Sequence, residues 1–291
     1  HFPTLLHCLS DYLVSERFYL HNKMISQETI QCLVKECEKN KDLKDGRKIV
    51  NLIASHGLDL ITDLHDYLIR MFTSCGSLKD ANLIFRKVEK PTLYTWNSIM
   101  SAHALLGDGK GTIALFYELQ EEGFKPSKFI FLSVLKSIAK LKSLPEGRDA
   151  HSRLIKRGFE NDIVIGSSLI DMYGKCGRLD EARHVFNKLH DRSVVSWGAM
   201  IGGYVQNGHN VQAVTLFQYM MQQGDCEPNS VTFSCILKSC GAIEALEEGR
   251  FIHYLVVNFG LESDIRIQTG LIHMYTIARS LEEAFNIFIR A

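Results

Sequence analysis

The sequence predicts an all-α protein, a right-handed α-solenoid of stacked helix-turn-helix repeats. Three observations predict it: the chain matches itself after a shift of about a hundred residues, its apolar residues recur at helical spacing, and turn signals recur at regular intervals. Gly46-Arg47, for example, recurs as Gly147-Arg148 and as Gly249-Arg250. One such unit could not bury its apolar stripe alone, but stacked units bury a continuous core. We therefore expect about fifteen or sixteen helices.

Each long period divides into three shorter units, and each unit is predicted to be a pair of helices. In one first helix, Leu169, Met172 and Tyr173 form an i, i+3, i+4 stripe, which is typical of an amphipathic helix. Residues 1–26 match no unit and form an N-terminal flanking segment. The predicted unit boundaries are 27–61, 62–92, 93–127, 128–162, 163–193, 194–229, 230–264 and a partial unit at 265–291.

Turn chemistry marks the predicted helix ends. A serine followed three residues later by an acid predicts a capping box at the start of three second helices. Glycine, which adopts a left-handed conformation without strain, predicts the end of the second helix in the longer units. The serine–acid pairs are Ser77 with Asp80, Ser143 with Glu146 and Ser280 with Glu283, and the glycines are Gly57, Gly123, Gly158, Gly224 and Gly260. The twentieth residue of most units is glycine or alanine, which predicts close helix crossing.

The composition excludes several classes of protein. Lys+Arg and Asp+Glu both total 33, so the basic balance of many nucleic-acid binders is missing, although a neutral total can hide a basic groove beside acidic outer faces. Eight cysteines are present without any Cys-x-x-Cys, so the usual zinc pattern is absent and the cysteines are predicted to pack as small apolar residues. No apolar run reaches ~18 residues, so no membrane span is expected.

Tetratricopeptide repeats are the nearest alternative. Their pattern places Leu-Gly three and four residues after a tryptophan, whereas Trp96 and Trp197 are followed there by Ile-Met and Met-Ile. Both tryptophans are predicted to be core residues. The chain instead resembles the plant-type pentatricopeptide repeat family in its mixed form, in which P, L and S motifs alternate. Residues 163–177 resemble an S motif, 194–201 the start of a P motif and 246–253 the second helix of an L motif. On this resemblance the order is L, S, P, L, S, P, L and a partial S.

The resemblance implies recognition of single-stranded RNA at about one base per repeat. In this family the fifth and last residues of a motif test the edge of a base, and the second residue packs against base faces. Asn97 and Ser127, with Tyr94 as the packing residue, resemble the combination that favours cytosine. The other candidates are Ser167 and Ser193 with Val164, Gly198 and Asn229 with Val195, Asp66 with Thr92, and Thr269. Gly198 offers no edge-contacting group, Asp66 would repel phosphates, and the L motifs are left unassigned.

Mixed-motif members of the family resemble organellar RNA-editing specificity factors, some of which end in a zinc deaminase. A deaminase needs His-x-Glu and Cys-x-x-Cys, and neither occurs here, so this chain is predicted to be no enzyme and to need no cofactor. A catalytic domain in a longer parent protein is left open. The implied function is C-to-U editing in the mitochondrion or chloroplast, with adaptor proteins or a deaminase in cis or trans as further partners. Two alternatives stay open, a protein-interaction solenoid and an organellar RNA splicing or stabilisation factor.

Overall fold

The computed structural model describes residues 27–57 and 62–289, and the N-terminal flanking segment lies outside these ranges. Every regular element in them is an α-helix, as the sequence predicts. The helices come in pairs, with the first helix of a pair carrying an odd number. The bounds are α1 Gln27–Asn40, α2 Leu43–Ser55, α3 Thr62–Ser74, α4 Leu78–Phe85, α5 Leu93–Leu105, α6 Gly109–Glu121, α7 Lys128–Leu141, α8 Leu144–Lys156, α9 Ile163–Lys175, α10 Leu179–Lys188, α11 Val194–Gln206, α12 Asn210–Gln223, α13 Ser230–Ala242, α14 Leu246–Asn258, α15 Ile265–Ile277 and α16 Leu281–Phe288.

The chain divides into two compact units, 1–133 and 134–291, and the boundary falls within α7. In the first unit, α1, α3 and α5 contact one another in order along the chain. In the second, α9, α11, α13 and α15 do the same. Second helices away from α7 contact their own first helix and the first helix that follows, as α4 does with α3 and α5 and α12 with α11 and α13. The predicted stripe Leu169, Met172 and Tyr173 is buried, so the repeated apolar positions form the core of the stack.

A recurring contact explains the small twentieth residue. A Cβ atom added to Gly147 would lie 2.6 Å from Sδ of Met172, and one added to Gly249 would lie 2.5 Å from Sδ of Met274. The corresponding distance from Gly46 is 3.0 Å, to Cε of Met71. In each case the methionine belongs to the next helix pair. A side chain at this position would therefore have to displace a methionine of the neighbouring unit, so the constraint comes from that unit and not only from the helix crossing within its own.

Two tryptophans form a second recurring contact between neighbouring units, where unit 62–92 meets 93–127 and where unit 163–193 meets 194–229. Trp96 packs edge-to-face against Phe85, and Trp197 against Phe186, with ring centroids 4.9 Å apart in both cases. Both tryptophans are buried, which confirms their prediction as core residues. Edge-to-face geometry suits aromatic quadrupoles, so these pairs stabilise the stack beyond the area that they bury.

Charged side chains on the second helices repeat with the same period. Arg47 pairs with Asp80, Arg148 with Glu181 and Arg250 with Glu283, at 2.9, 2.8 and 2.7 Å respectively. Beside two of these ion pairs, His151 hydrogen-bonds the Tyr173 hydroxyl at 2.8 Å and His253 that of Tyr275 at 2.9 Å. The equivalent residues next to the Arg47–Asp80 pair are Val50 and Phe72. Both the histidine and the tyrosine of the hydrogen-bonded pair are therefore replaced by apolar residues there.

The helix ends follow the predicted chemistry in part. The five C-terminal glycines all adopt positive φ, between 64° at Gly57 and 81° at Gly123. Of the three capping boxes, only the Ser77 oxygen accepts from the backbone, from the Asp80 N–H. The prediction was wrong for Ser143 and Ser280, whose hydroxyls donate to the carboxylates of Glu146 and Glu283 and accept no backbone N–H. The Ser77 hydroxyl also donates to the carboxylate of Asp80 and still accepts its N–H, so the three sites differ only in the backbone hydrogen bond.

Candidate functional site

The residues predicted to contact RNA occupy three places at the N-terminal end of first helices. Tyr94, Val164 and Val195 are each the second residue of their helix, in α5, α9 and α11. Asp66, Asn97, Ser167, Gly198 and Thr269 are fifth residues of α3, α5, α9, α11 and α15. Thr92, Ser127, Ser193 and Asn229 immediately precede a first helix. The helix start therefore sets where each predicted contact lies.

The second residues are exposed apolar side chains beside a buried core. Tyr94 is 78% exposed and Val195 61%, while the tryptophans two residues further along are buried. Phe129 and Val231 hold the same position in α7 and α13 and are also exposed, Phe129 at 66%. The sequence prediction missed these two, because units 128–162 and 230–264 were left unassigned. Their apolar character at the second position was the signal that could have found them.

The residues that precede first helices act as N-caps. The hydroxyls of Thr92 and Ser193 accept the N–H groups of Thr95 and Ser196, and each pair forms a reciprocal capping box. The Ser127 hydroxyl accepts the Ile130 N–H at 3.4 Å. Each cap satisfies a backbone donor that the helix itself leaves unpaired. The side chain oxygens proposed to face a base thus already accept a hydrogen bond from the protein.

The Asn229 cap has a second bond. Its Oδ1 accepts both the backbone N–H of Thr232 at 3.0 Å and the Thr232 hydroxyl at 3.1 Å. A Cβ atom added to Gly198 would lie 3.6 Å from the same hydroxyl oxygen. Thr232 thus stands between the two predicted contact positions of unit 194–229. Among the described residues, no hydrogen bond joins Asn97 to Ser127 or Ser167 to Ser193.

The fifth residues differ in their surroundings. Asn97 is half-buried, and its Oδ1 atom is enclosed without a hydrogen-bond partner in the described part of the chain. Ser167 is only 4% exposed and donates its hydroxyl to the Ile163 carbonyl at 2.7 Å. Thr269 is exposed and makes the equivalent bond to Ile265. Asp66 is half-buried. Asn97 therefore has an unsatisfied acceptor at its position, whereas the hydroxyls of Ser167 and Thr269 are engaged with their own helices.

Charge is distributed unevenly over the first helices. In residues 134–291 the first helices carry the exposed lysines Lys136, Lys140 and Lys238, together with Lys175 and Arg266, and a single acid, Asp171. The first helices of the other compact unit carry a mixture in which acids are more numerous, including Glu28 and Asp66. The neutral total thus includes a basic set of first helices in the second unit.

Cysteines and acids form no metal centre in the described residues: no group of three or more His, Cys, Asp or Glu side chains is placed to hold an ion there. Burial raises the pKa of Cys37 to about 12 and that of Cys240 to about 11, so both thiols stay protonated and pack as apolar groups. None of the helices in the described ranges combines the length and apolarity needed to cross a membrane.

Comparison with known proteins places this geometry in a family. A family model described as the PPR repeat family matches residues 192–242, and a PPR repeat model matches 94–124 and 167–194. The chain is 33% identical over 270 residues to the pentatricopeptide repeat-containing protein CRR2, chloroplastic, of Arabidopsis thaliana. This chain is a pentatricopeptide repeat protein. A second chloroplastic pentatricopeptide repeat relative from Arabidopsis thaliana, DOT4, is 31% identical over 264 residues.

The pentatricopeptide repeat chain matches only part of each relative. It covers 41% of CRR2 and 30% of DOT4, while 91% of the chain itself is matched in both. Among solved structures, the maize pentatricopeptide repeat protein PPR10 matches 90% of the chain with a TM-score of 0.72 and 22% identity. PPR10 in complex with an 18-nt psaJ RNA element matches 98% of the chain and 42% of its own length, with a TM-score of 0.78 and 21% identity. These likenesses show the fold, a solenoid of stacked helix pairs.

Proposed function

We propose that this pentatricopeptide repeat chain binds single-stranded RNA sequence-selectively and directs C-to-U editing of organellar transcripts. One observation carries the proposal: first helices begin with a polar N-cap followed two residues later by an exposed apolar side chain. Thr92 with Tyr94, Ser127 with Phe129, Ser193 with Val195 and Asn229 with Val231 repeat this arrangement. An unpaired base needs an apolar surface for its face and a polar group for its edge, and each of these helix starts supplies both.

The charge distribution supports a polyanionic ligand. Phosphates are attracted to exposed lysines, and Lys136, Lys140 and Lys238 lie on first helices of the second compact unit. Asp66 and Glu28 on the earlier first helices oppose such attraction. We therefore propose that residues 134–291 supply most of the backbone attraction, with unit 93–127 adding base contacts through Asn97 and Ser127.

The relatives support the organelle and the type of ligand. CRR2 and DOT4 are named chloroplastic proteins, and PPR10 was solved with an 18-nt RNA element. We propose the chloroplast as the compartment ahead of the mitochondrion. Editing rests on the alternation of L, S and P motifs, and splicing or stabilisation of RNA uses the same binding surface. The repeats themselves would only position the RNA, and the chemistry would come from a deaminase in cis or trans.

A protein partner is the second candidate, favoured by one surface. The second helix α14 exposes Phe251, Tyr254 and Val257. The corresponding residues of α8 are Asp149, Ser152 and Ile155, so the exposed stripe is more apolar on α14 than on α8. Exposed apolar stripes of this kind mark protein interaction sites, and an editing adaptor fits this role.

Selection from a random single-stranded RNA pool, at low and high salt, tests the RNA proposal. We expect a short enriched sequence with cytosine opposite unit 93–127, and an affinity that falls as salt rises. Val195→Ala should weaken binding by about five-fold or more through lost stacking. The matched control is Val211→Ala on the second helix α12, because Val211 is 60% exposed and Val195 61%. It should bind as the wild type does.

Two outcomes would contradict the proposal. If the chain binds no RNA at low salt, the protein-interaction solenoid becomes the better hypothesis. If binding is steep in salt without enriched sequence, the attraction is to the backbone alone and base recognition fails. The editing role is tested separately in plants or plastids lacking the protein, where C-to-U conversion should be lost at transcript sites that contain the enriched sequence. Unchanged conversion with altered splicing or transcript abundance would favour the other RNA-processing alternatives.

A further inference from the structure

A groove is lined by the second helices α10 and α12 and by the end of α11. Its volume is about 690 Å³, within the range of roughly 300–1,000 Å³ that ligand sites occupy. Tyr204 lies in the last turn of α11, at the opposite end from the predicted base contacts of that helix. The α10–α12 groove is therefore separate from the helix starts assigned to RNA. The lining residues that decide its chemistry are Arg183, Tyr204, Val211, Gln212, Tyr219 and Gln222.

Arg183 gives the α10–α12 groove a positive charge that no carboxylate neutralises. The side chain is half-buried, and its guanidinium lies 5.6 Å from the centre of the Phe186 ring, a distance at which cation and ring attract each other. In the described part of the chain, Arg183 forms no ion pair. Glu181 of the same helix is paired with Arg148, and Asp180 is exposed without reaching Arg183. An arginine held in this way favours a ligand that brings its own carboxylate.

The helix α12 surrounds this charge with neutral groups. Its sequence contains no Asp, Glu, Lys, Arg or His, whereas every other second helix in the described ranges contains at least one charged residue. Gln212 and Gln222 line the groove with amides that donate and accept hydrogen bonds, beside the exposed Val211 and Tyr219. A polyanion such as RNA gains most from several cations in a row, and this groove has one. A mainly neutral chain with an isolated carboxylate fits it better.

The equivalent place in the preceding period has its polar groups bonded to one another. The Asn82 side chain hydrogen-bonds His103 at 2.9 Å, and Glu118 pairs with Arg86 at 2.9 Å. Two acids at this place, Glu118 and Glu121, would also repel an acidic ligand. The residues Asn82, His103, Glu118 and Glu121 stand 101 positions before Arg183, Tyr204, Tyr219 and Gln222. The substitutions between the two periods thus exchange a closed, acidic place for an open, cationic one.

We propose that the α10–α12 groove docks a segment of a protein partner, an extended and mainly neutral stretch with one acidic side chain whose carboxylate pairs with Arg183. The planar guanidinium binds a carboxylate through two parallel hydrogen bonds. The amides of Gln212 and Gln222 bond the backbone of the segment, and Val211 and Tyr219 cover its apolar side chains. This site is independent of the proposed RNA binding and of the exposed stripe on α14.

Selection from a random octapeptide library tests the proposal. The wild-type chain should retain peptides in which one position is enriched in Asp or Glu, and the affinity of a synthetic peptide with the enriched sequence should fall as salt rises. Arg183→Gln in the chain, or replacement of that acid by its amide in the peptide, should weaken binding by about ten-fold. Both changes together should weaken binding about as much as either alone, because each removes the same ion pair.

A second variant tests the groove without removing Arg183. Gln222→Glu adds a carboxylate, as Glu121 does in the preceding period, and should weaken binding of the acidic peptide by about three-fold or more through repulsion. Its matched control is Gln223→Glu, because Gln223 is the exposed neighbour that does not line the groove. Lys188→Gln, at an exposed cation of α10, is the control for Arg183→Gln. Both controls should bind the peptide as the wild type does, and circular dichroism checks the folding of each variant.

Three outcomes would overturn the proposal. The first is a wild-type chain that retains no peptide, or only peptides without an enriched acid. The second is an acidic peptide whose affinity Arg183→Gln leaves unchanged. The third comes from the selected RNA, whose affinity should be the same for Arg183→Gln and Lys188→Gln. A specific loss of RNA affinity in Arg183→Gln would assign this arginine to the attraction of nucleic acid.

Discussion

Asn97 and Ser127 form one predicted base-contacting pair, yet they have different structural roles. Ser127 caps α7 through the Ile130 N–H, so replacing it removes a helix cap as well as a base contact. Asn97 caps nothing, and the enclosed Oδ1 atom has no partner among the described residues. A buried acceptor without a partner costs stability, and reorientation of the Asn97 side chain toward a bound base would satisfy it. Asn97 is therefore the residue at which binding can be tested with the least structural disturbance.

We expect Asn97→Ala to lower affinity for the selected RNA by about ten-fold and to remove the preference for cytosine opposite unit 93–127. The midpoint of thermal unfolding should stay the same or rise slightly, because the unsatisfied acceptor is removed with the side chain. Fluorescence anisotropy with the four single-nucleotide versions of the RNA measures the effect. Asn187→Ala, at an exposed asparagine of the second helix α10, is the control. Retention of the cytosine preference in Asn97→Ala would show that this residue does not contact the base.

At the scale of helix pairs, the contacts between neighbouring units are specific and do not amount to nonspecific apolar packing. They determine which type of unit can pack against the next. Gly147 admits Met172 of the next pair, and Phe186 of that pair receives Trp197 of the one after. The same contacts join Gly46 to Met71 and Phe85 to Trp96. Dense packing makes such contacts intolerant of added volume.

Gly147→Ala should destabilise the chain by about 1 kcal/mol or more, because the new methyl group would overlap the Met172 side chain. The matched control is Gly198→Ala. Gly198 lies within α11 as Gly147 lies within α8, but its added Cβ atom meets only the Thr232 hydroxyl, at 3.6 Å. That substitution should be neutral or slightly stabilising, since alanine favours helix over glycine. Urea unfolding measures both. Equal stability of the two variants would contradict the packing argument. Shortening the Met172 side chain should reduce the loss of stability caused by Gly147→Ala.

Much of the helix-pair architecture could be predicted from the sequence, because the self-match and the amphipathic stripes are local and repeated. The stripe around Met172 and the buried Trp197 were predicted correctly for that reason. The burial of Ser167 and the hydroxyl directions of Ser143 and Ser280 could not be, because they depend on where neighbouring side chains lie. The exposed apolar position of Phe129 could have been predicted from its place as second residue of unit 128–162. It was not predicted because L motifs were left unassigned. The base contacts themselves remain predictions.

For the whole molecule, the neutral charge total conceals a regular set of ion pairs along the second helices. Hydrogen bonds from Arg178 and Arg148 lower the pKa of Glu181 to about 2, and Ser280 and Arg250 do the same for Glu283. Since the ordinary value for glutamate is 4.5, both groups are ionised more readily in the folded chain than in the unfolded one. The stability that they contribute is fully present above pH 4.5 and is lost as the pH falls toward about 2.

We expect Glu181→Gln to lower the free energy of unfolding at neutral pH by less than about 1 kcal/mol, since the pair is partly exposed to solvent. The difference from the wild type should shrink as the pH falls from about 4.5 toward about 2, because the wild-type carboxylate is protonated there. Urea unfolding across this range measures it. Glu262→Gln, at an exposed position between α14 and α15, is the matched control and should leave the free energy of unfolding at neutral pH unchanged. A difference that stays constant with pH would assign the effect to packing and not to ionisation.

The alternation of contacts also limits how the gene can gain or lose repeats. Loss of residues 93–193 would set Phe85 before Trp197, which re-creates the aromatic pair that Phe85 forms with Trp96. Loss of 93–127 alone would instead bring Phe131 to the position of Trp96, next to Phe85. In the native chain Phe131 packs against Phe116, so this deletion would not re-create a native aromatic pair. A segment of three units is thus the smallest insertion or deletion that preserves the type of contact between every two neighbouring units. On the proposed function, with one base bound per unit, recombination would lengthen or shorten the RNA target in steps of three nucleotides.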